Sequence, residues 1–283
     1  MRLIRTIRDL QTELAGLRGN KMTIGLVPTM GALHKGHASL INRSSKENNA
    51  TVVSDFLNPT QFNDKKDLEK YPRTLDADCA IAEQAGADIV FAPSVDEMYP
   101  TPDRRRFSYP PIDTVMEGAY RPGHFNGVCQ IVSKLFAITS PDRAYFGEKD
   151  YQQIAVVRAM VKALKMQVQI IACPVIREQS GLAMSSRNTL LSQKEREIAA
   201  HIYATLRNSQ NYGKNHTLKE TNTYVCNAIN AVEGLKVQYF SIVDGLTLQE
   251  LEDWEDSNNV VGCITVFCGK IPVRLIDHIR YKG

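Results

Sequence analysis

The chain has 283 residues, 43% hydrophobic and 23% charged, with a formal net charge of +3 at pH 7. This is the composition of a folded globular protein rather than a disordered, fibrous or membrane one, and no apolar run approaches the roughly 20 residues of a bilayer span. Lysine and arginine are scattered, so no dense basic face for nucleic acid is evident; Arg104-Arg105-Arg106 reads as a solvated loop between Pro102 and Pro110.

Residues 1–17 space Leu3, Ile4, Ile7, Leu10, Leu14 and Leu17 at helical intervals and predict one amphipathic surface helix. Asp9 and Glu13 argue against a transit peptide, and the broken apolar pattern argues against a secretory signal. From residue 23, short β-rich runs alternate with helical patterns. A strand in TIGLVPT precedes a helix from about Leu33 to Glu47, and ATVVSDFL and ADIVFAP flank a helix over Thr74 to Gln84. Val128, Ile131, Val132, Leu135 and Phe136 share one helical face; RAYFG, a helix over Tyr151 to Leu164 and VQIIACPVI follow. The alternation predicts βαβ units, hence an α/β fold with a Rossmann-like doubly wound parallel sheet over residues 1–175.

Past residue 175 the rhythm changes. A polar loop, REQSGLAMSSRNTL, leads to a helix opened by the capping-box pattern Ser192-Gln193-Lys194-Glu195, then to a helix near Leu218 to Val232. Strands follow in VQYFSIVD and NNVVGCITVFC. Helices followed by strands predict a second, smaller α+β domain over residues 176–283, which contains MSSRN. The six cysteines show no CxxC pair or metal-ligand rhythm and read as small buried hydrophobes in a reducing compartment. Cys263 and Cys268 are an odd number apart in a strand, so they face opposite ways and do not share a metal.

The chemistry begins at PTMGALHKGH, residues 28–37. Gly31 permits a tight turn, and Gly36 removes a side chain where a ligand could approach. If the helix starts across residues 33–37, its unpaired N–H groups form an anion site with His34 and His37 on one side of it. Neutral imidazole donates one hydrogen bond; protonated imidazole adds charge that favours a transferring phosphate. A surface HxxH pair, or half of a metal site, is the competing reading. HKGH resembles the HxGH signature of the nucleotidyltransferase and class I aminoacyl-tRNA synthetase superfamily, which asks for a second element far downstream. GLAMSSRN has the form of its mobile MSK-type loop: Ser185 and Ser186 offer donors and Arg187 a permanently charged fork.

Three further stretches narrow the resemblance. FLNPTQFN exposes Asn58 and Gln61, amides suited to hydroxyls and carboxylates. RPGHFNGV and FGEKDYQQ each end at a helix start, and Glu148-Lys149-Asp150 sets a cation beside carboxylates suited to ribose or to the water shell of Mg²⁺. Together these motifs closely resemble the pantoate–β-alanine ligase family, from about residue 22 to 192 and more loosely to the end.

The resemblance implies ATP-driven condensation of pantoate with β-alanine through a pantoyl-adenylate, with Mg²⁺, in a cytoplasmic homodimer that binds neither nucleic acid nor membrane. It implies that Met30, Gly31, Ala32, Leu33, His34, Lys35, Gly36 and His37 line the ATP site, with His37 as the proton-donating catalytic residue. Gly147, Glu148, Lys149 and Asp150, with Met184, Ser185, Ser186 and Arg187, would also bind ATP, and Ile176 would contact the adenine. Gln61 would serve pantoate and β-alanine, and Gln153 pantoate. Lys35 stands where an acid is usual in the family, Asp55 interrupts a normally apolar strand, and Gln130 and Ile176 replace a common threonine and valine.

Pantoate's carboxylate is already an anion at pH 7, so its attack on the α-phosphorus needs no strong base. The site must instead offset anion–anion repulsion and stabilise departing pyrophosphate, the task assigned to His34, His37, Lys149, Arg187 and the metal ion. The amine of β-alanine must arrive unprotonated, and no residue announces itself as its base. Two rivals remain: another adenylate-forming or nucleotidyl-transferring enzyme, which the pocket around Gln61 and Gln153 would distinguish, and a non-catalytic sensor or RNA-binding relative.

Overall fold

Strands that are apolar on both faces can be buried only inside a sheet covered by helices on both sides. The computed structural model, which describes residues 1–63 and 65–283 and their side chains other than those of Lys65 and Lys66, has that architecture. In chain order the first part runs β1 (Arg2–Ile4), α1 (Ile7–Gly19), β2 (Ile24–Thr29), α2 (Lys35–Glu47), β3 (Ala50–Asp55), α3 (Lys65–Lys70), α4 (Leu75–Gln84) and β4 (Ile89–Phe91). It continues through α5 (Val95–Met98), α6 (Glu117–Tyr120), α7 (His124–Thr139), β5 (Arg143–Gly147), α8 (Tyr151–Ala163) and β6 (Gln169–Cys173). These strands form one sheet in the order β1-β4-β3-β2-β5-β6, parallel throughout.

Alternate residues of the strands point to opposite faces. Leu26, Val52 and Phe91 pack with Leu10 and Leu14 of α1, Val132 of α7 and Val157 of α8. Val27, Val53 and Val90 pack on the other face with Leu40 and Ile41 of α2 and Ala82 of α4. The order reverses between β2 and β5, and the crevice outside their carboxyl ends is where a doubly wound sheet takes its ligand.

The remaining elements are α9 (Gln193–Tyr212), α10 (Leu218–Asn230), β7 (Leu235–Asp244), β8 (Val260–Cys268) and β9 (Val273–Lys282). The three strands form a smaller antiparallel sheet, β7-β8-β9. Its core is its own, built from Ile202 and Leu206 of α9, Val225 and Ile229 of α10, and Phe240, Ile264 and Val266 of the sheet. The expected capping box opens α9: Glu195 N–H donates to Ser192 Oγ at 3.3 Å, and Ser192 N–H to Glu195 Oε2 at 2.9 Å.

The two sheets meet along a charged seam. Arg274 of β9 grips Glu117 of α6 with both guanidinium nitrogens, at 2.5 and 2.6 Å. The hydroxyls of Tyr239 and Thr265 donate to the same carboxylate at 2.8 and 2.9 Å. Burial alone would raise the pKa of Glu117, but Arg274 and the hydroxyls bring it down to about 2. A second pair, Arg177 with Asp277, closes at 2.6 and 2.9 Å.

Three expectations need correction. The N-terminal pattern is a strand, β1, followed by a helix, because Arg2–Ile4 pairs with Ile89–Phe91 at the sheet edge. β9 is a third strand beyond the two late strands that the sequence predicts. In the Arg104–Arg106 run, Arg105 is anchored rather than free: its guanidinium pairs with Asp103 at 2.6 Å and donates to Gln130 O and Ser133 Oγ on α7. No described helix is long and apolar enough to cross a membrane.

Candidate active site

The chain leaves β2 through two residues in the left-handed region, Gly31 at φ +79° and Ala32 at φ +51°. It enters α2 with His34 as the N-cap. His34 Nδ1 accepts the N–H of Gly36 at 3.1 Å, and His37 Nδ1 accepts the N–H of His34 at 3.3 Å. This is a capping box built from imidazoles. It corrects in part the expectation that the amides of residues 33–37 are unpaired: those of His34 and Gly36 are taken by the rings and that of Leu33 by Asp78, which also takes that of Ala32.

With both Nδ1 atoms accepting, the neutral rings carry their protons on Nε2. The rings lie 4.1 Å apart, tilted by 34°. Burial, aided by Lys149, lowers the pKa of His34 to about 4; burial, then His34 and Lys149, hold His37 well below its ordinary value. The pair is neutral at pH 7, two fixed donors rather than two cations. Gly36 clears space for the His34 ring: a Cβ there would fall 2.7 Å from its Cε1.

A cavity of about 190 Å³ opens at the carboxyl ends of β2 and β5. It is lined by Met30, His34, Gly36, His37, Asn58, Gln61, Gly147, Lys149, Asp150, Gln153, Ile176, Met184, Ser185, Ser186 and Arg187, which brings together most of the residues singled out in the sequence. Val128, Ile131, Val132 and Leu135 of α7 supply an apolar wall. A second cavity, of about 660 Å³, lies toward the smaller sheet. Lys149, Asp150, Ser185 and Arg187 line both and form the neck between them. Lys149 Nζ stands 3.7 Å from Asp150. Among the described residues no three His, Cys, Asp or Glu side chains gather as a metal site, and Asp150 is the one acid at the neck.

Some predicted residues lie elsewhere. Gly31, Ala32 and Leu33 form the turn behind the rings rather than the cavity wall. Lys35 lines an adjoining groove with Gln84 and Glu178, which shares His34, Met184 and Ser185 with the cavity. Glu148 reaches Arg280 at 4.0 Å. Asn58 and Gln61 are buried rather than exposed. The Asn58 amide donates to Gln61 Oε1 at 3.0 Å and to Gly127 O at 3.2 Å, while its Oδ1 accepts from Tyr99 at 2.8 Å. It is thus occupied in orienting Gln61, whose Nε2 lies 3.0 Å from Met30 Sδ.

Two contributors carried no signal in the sequence. Tyr71 shares a hydrogen bond of 2.9 Å with Ser186 Oγ, and its ring lies 5.9 Å from the Arg187 guanidinium. Asp67 of α3 accepts from Arg187 at 2.8 Å. Both act only because the loop between β6 and α9 folds back onto the segment around α3.

A doubly wound sheet that aims two imidazole donors and two cations into a crevice at its switch point defines an enzyme site for a phosphorylated nucleotide. A sequence profile described as Pantoate-beta-alanine ligase matches residues 2–280. Pantothenate synthetases of Phocaeicola vulgatus and Bacteroides thetaiotaomicron are each 62% identical to the chain, over the whole of it and 100% and 99% of their own lengths. The crystal structure of pantothenate synthetase from Thermus thermophilus superposes with a TM-score of 0.92 at 39% identity, covering all of both chains. That of pantoate-beta-alanine ligase from Francisella tularensis, complexed with beta-gamma ATP and beta-alanine, gives 0.83 at 38%, covering 99% of this chain and 98% of that one. The chain belongs to the pantoate–β-alanine ligase family and is an enzyme, a carbon–nitrogen ligase.

Proposed function

We infer that the chain condenses pantoate with β-alanine in two steps at this crevice, consuming ATP and releasing AMP and pyrophosphate. The observation that carries the assignment of parts is the neck: an amide-bearing, apolar-walled compartment meets a larger one at Lys149, Asp150, Ser185 and Arg187, beside the histidine pair. A small acid with methyl groups suits the first, against Val128, Ile131, Val132 and Leu135, with Gln61 and Gln153 for its oxygens. The nucleotide lies along Met30, His34, Gly36 and His37, Gly147, Lys149 and Asp150, Ile176 and Met184 to Arg187, with the phosphates across the neck.

In the first step a pantoate carboxylate oxygen attacks the α-phosphorus and pyrophosphate leaves. The Nε2–H groups of His34 and His37, with Lys149 and Arg187, donate to phosphate oxygens as charge develops there. Were Mg²⁺ to accompany the triphosphate, Asp150 would be the carboxylate suited to its water shell, and the ion would supply charge stabilisation for the departing pyrophosphate. In the second step the free amine of β-alanine attacks the acyl carbon and AMP departs.

Given Mg²⁺ and pantoate but no β-alanine, the protein is expected to exchange labelled pyrophosphate into ATP. Exchange that is equal without pantoate, or that never occurs, would refute the order of steps. The family resemblance also supports a division at residues 175 and 176, with MSSRN on the lid, and a cytoplasmic homodimer. A sedimentation mass near that of the 31.7 kDa single chain would refute the dimer.

A further inference from the structure

Beneath the turn that delivers the histidines lie two carboxyl groups. Asp78 of α4 is 1% exposed. Its Oδ2 accepts the N–H of Ala32 at 2.9 Å and the hydroxyl of Thr74 at 3.1 Å, and its Oδ1 accepts the N–H of Leu33 at 2.6 Å. Asp55, the last residue of β3 and the register partner of Thr29, brings its carboxyl to the same side of Gly31 as that of Asp78. Both carboxyls crowd Gly31: a Cβ there would sit 2.6 Å from Asp55 Oδ1 and 3.3 Å from Asp78 Oδ2. The other oxygen of Asp55 is buried with no hydrogen-bond partner among the described residues.

Two carboxylates in contact repel, whereas a carboxylic acid and a carboxylate attract through a shared proton. Asp78 already accepts three donors, so the proton belongs on Asp55. We propose that Asp55 is a positioning residue of the ATP site, sharing a proton with Asp78 and thereby clamping that carboxylate on the amides of Ala32 and Leu33, which aim His34 and His37. The proposal rests on reading the histidine turn as the ATP site. The clamp has work to do, since Ala32 is held at φ +51°, a left-handed conformation that strains a residue with a Cβ.

Burial, with Asp78 adding, pushes the Asp55 carboxyl up to about 7. The titratable groups that face it are Asp78 and, on the same helix, Cys79, whose thiol burial pushes up, with Asp55, Asp76 and Asp78 adding and Arg5 opposing. A carboxyl raised in the folded state contributes stability that is complete below its unfolded value and lost as pH rises through the folded one. The clamp should therefore loosen as pH passes about 7.

The test compares Asp55→Asn, whose amide donates to Asp78 at every pH, with Asp55→Ala, which cannot donate. Pantoate-dependent pyrophosphate exchange is measured from pH 6 to 8.5, where titration of ATP itself cancels in ratios between proteins. The ratio of Asp55→Asn to wild-type exchange should rise roughly fivefold or more across that range, while Asp55→Ala is slow throughout, by a similar factor at pH 6. In parallel, the ¹⁵N amide shifts of Ala32 and Leu33 should titrate near pH 7 in the wild type and stay fixed in Asp55→Asn. Amides that do not titrate would overturn the proton sharing; titrating amides with a flat exchange ratio would overturn the positioning role. Absence of exchange in the wild type would instead fault the proposed function, leaving the amide shifts to judge the clamp.

Discussion

The histidine turn and the seam between the sheets both bury polar groups, in opposite ways. At the seam each charge meets its opposite: the Glu117 carboxylate receives both ends of the Arg274 fork and two hydroxyls. At the turn the rings are kept neutral by burial, and each satisfies one backbone amide while retaining an Nε2–H. A buried charge is tolerated when its partners are internal. A buried donor left over after the internal bonds are made points to what the site binds.

The contrast is broken most severely at the seam. Glu117→Ala strands the Arg274 guanidinium and should destabilise the protein by about 3 to 5 kcal/mol, read from urea denaturation at pH 7. Because the carboxyl is lowered in the folded state to about 2, its contribution is present above its ordinary value near 4.5 and lost as pH falls toward 2. Wild type and variant should therefore converge in stability under acid. At the turn, His37→Ala should cut pyrophosphate exchange by roughly 10² to 10³. Only the loss of its cap to the His34 amide, about 1 kcal/mol, should appear in denaturation. Exchange near the native rate would remove His37 from catalysis.

Two smaller changes sharpen the distinction. Gln61→Ala should weaken pantoate in the exchange assay by about 1 to 3 kcal/mol, since a substrate oxygen then loses a buried amide. Asp67→Asn should have the opposite sign. The phosphates must draw Arg187 away from Asp67, so releasing that partly exposed pair should lower the KM for ATP by about twofold to fivefold. An unchanged KM would mean that the arginine keeps its carboxylate in the complex.

The sequence was legible where a signal is local. The β-rich runs, the box at Ser192 and Glu195 and the glycine turn before His34 identify themselves by period or by residue type. What escaped depends on partners distant in the chain. Asn58 and Gln61 look equivalent as neighbouring amides until Gly127 and Tyr99 claim the first of them. Gln152 and Gln153 divide in the same way: the former donates to Ile112 O and Val115 O at 2.8 Å, and the latter lines the cavity. Asp67 and Tyr71 acquire a role only from Ser186 and Arg187. β9 is the exception, since Val273, Leu275 and Ile279 face its core at strand spacing and could have been read as a third late strand.

The edge position of β1 bears on how the chain matures. Arg2–Ile4 pairs only with β4, made after two intervening strands and the helices between them. On the ribosome β1 has no template until residues 89–91 emerge, so it docks late, after β2 and β3 have a register to share. Until then α1, whose Leu10 and Leu14 are completely buried in the finished fold, has β2 and β3 to pack against but still lacks β4 and α7. That interval is when the nascent chain is most open to chaperones and to self-association.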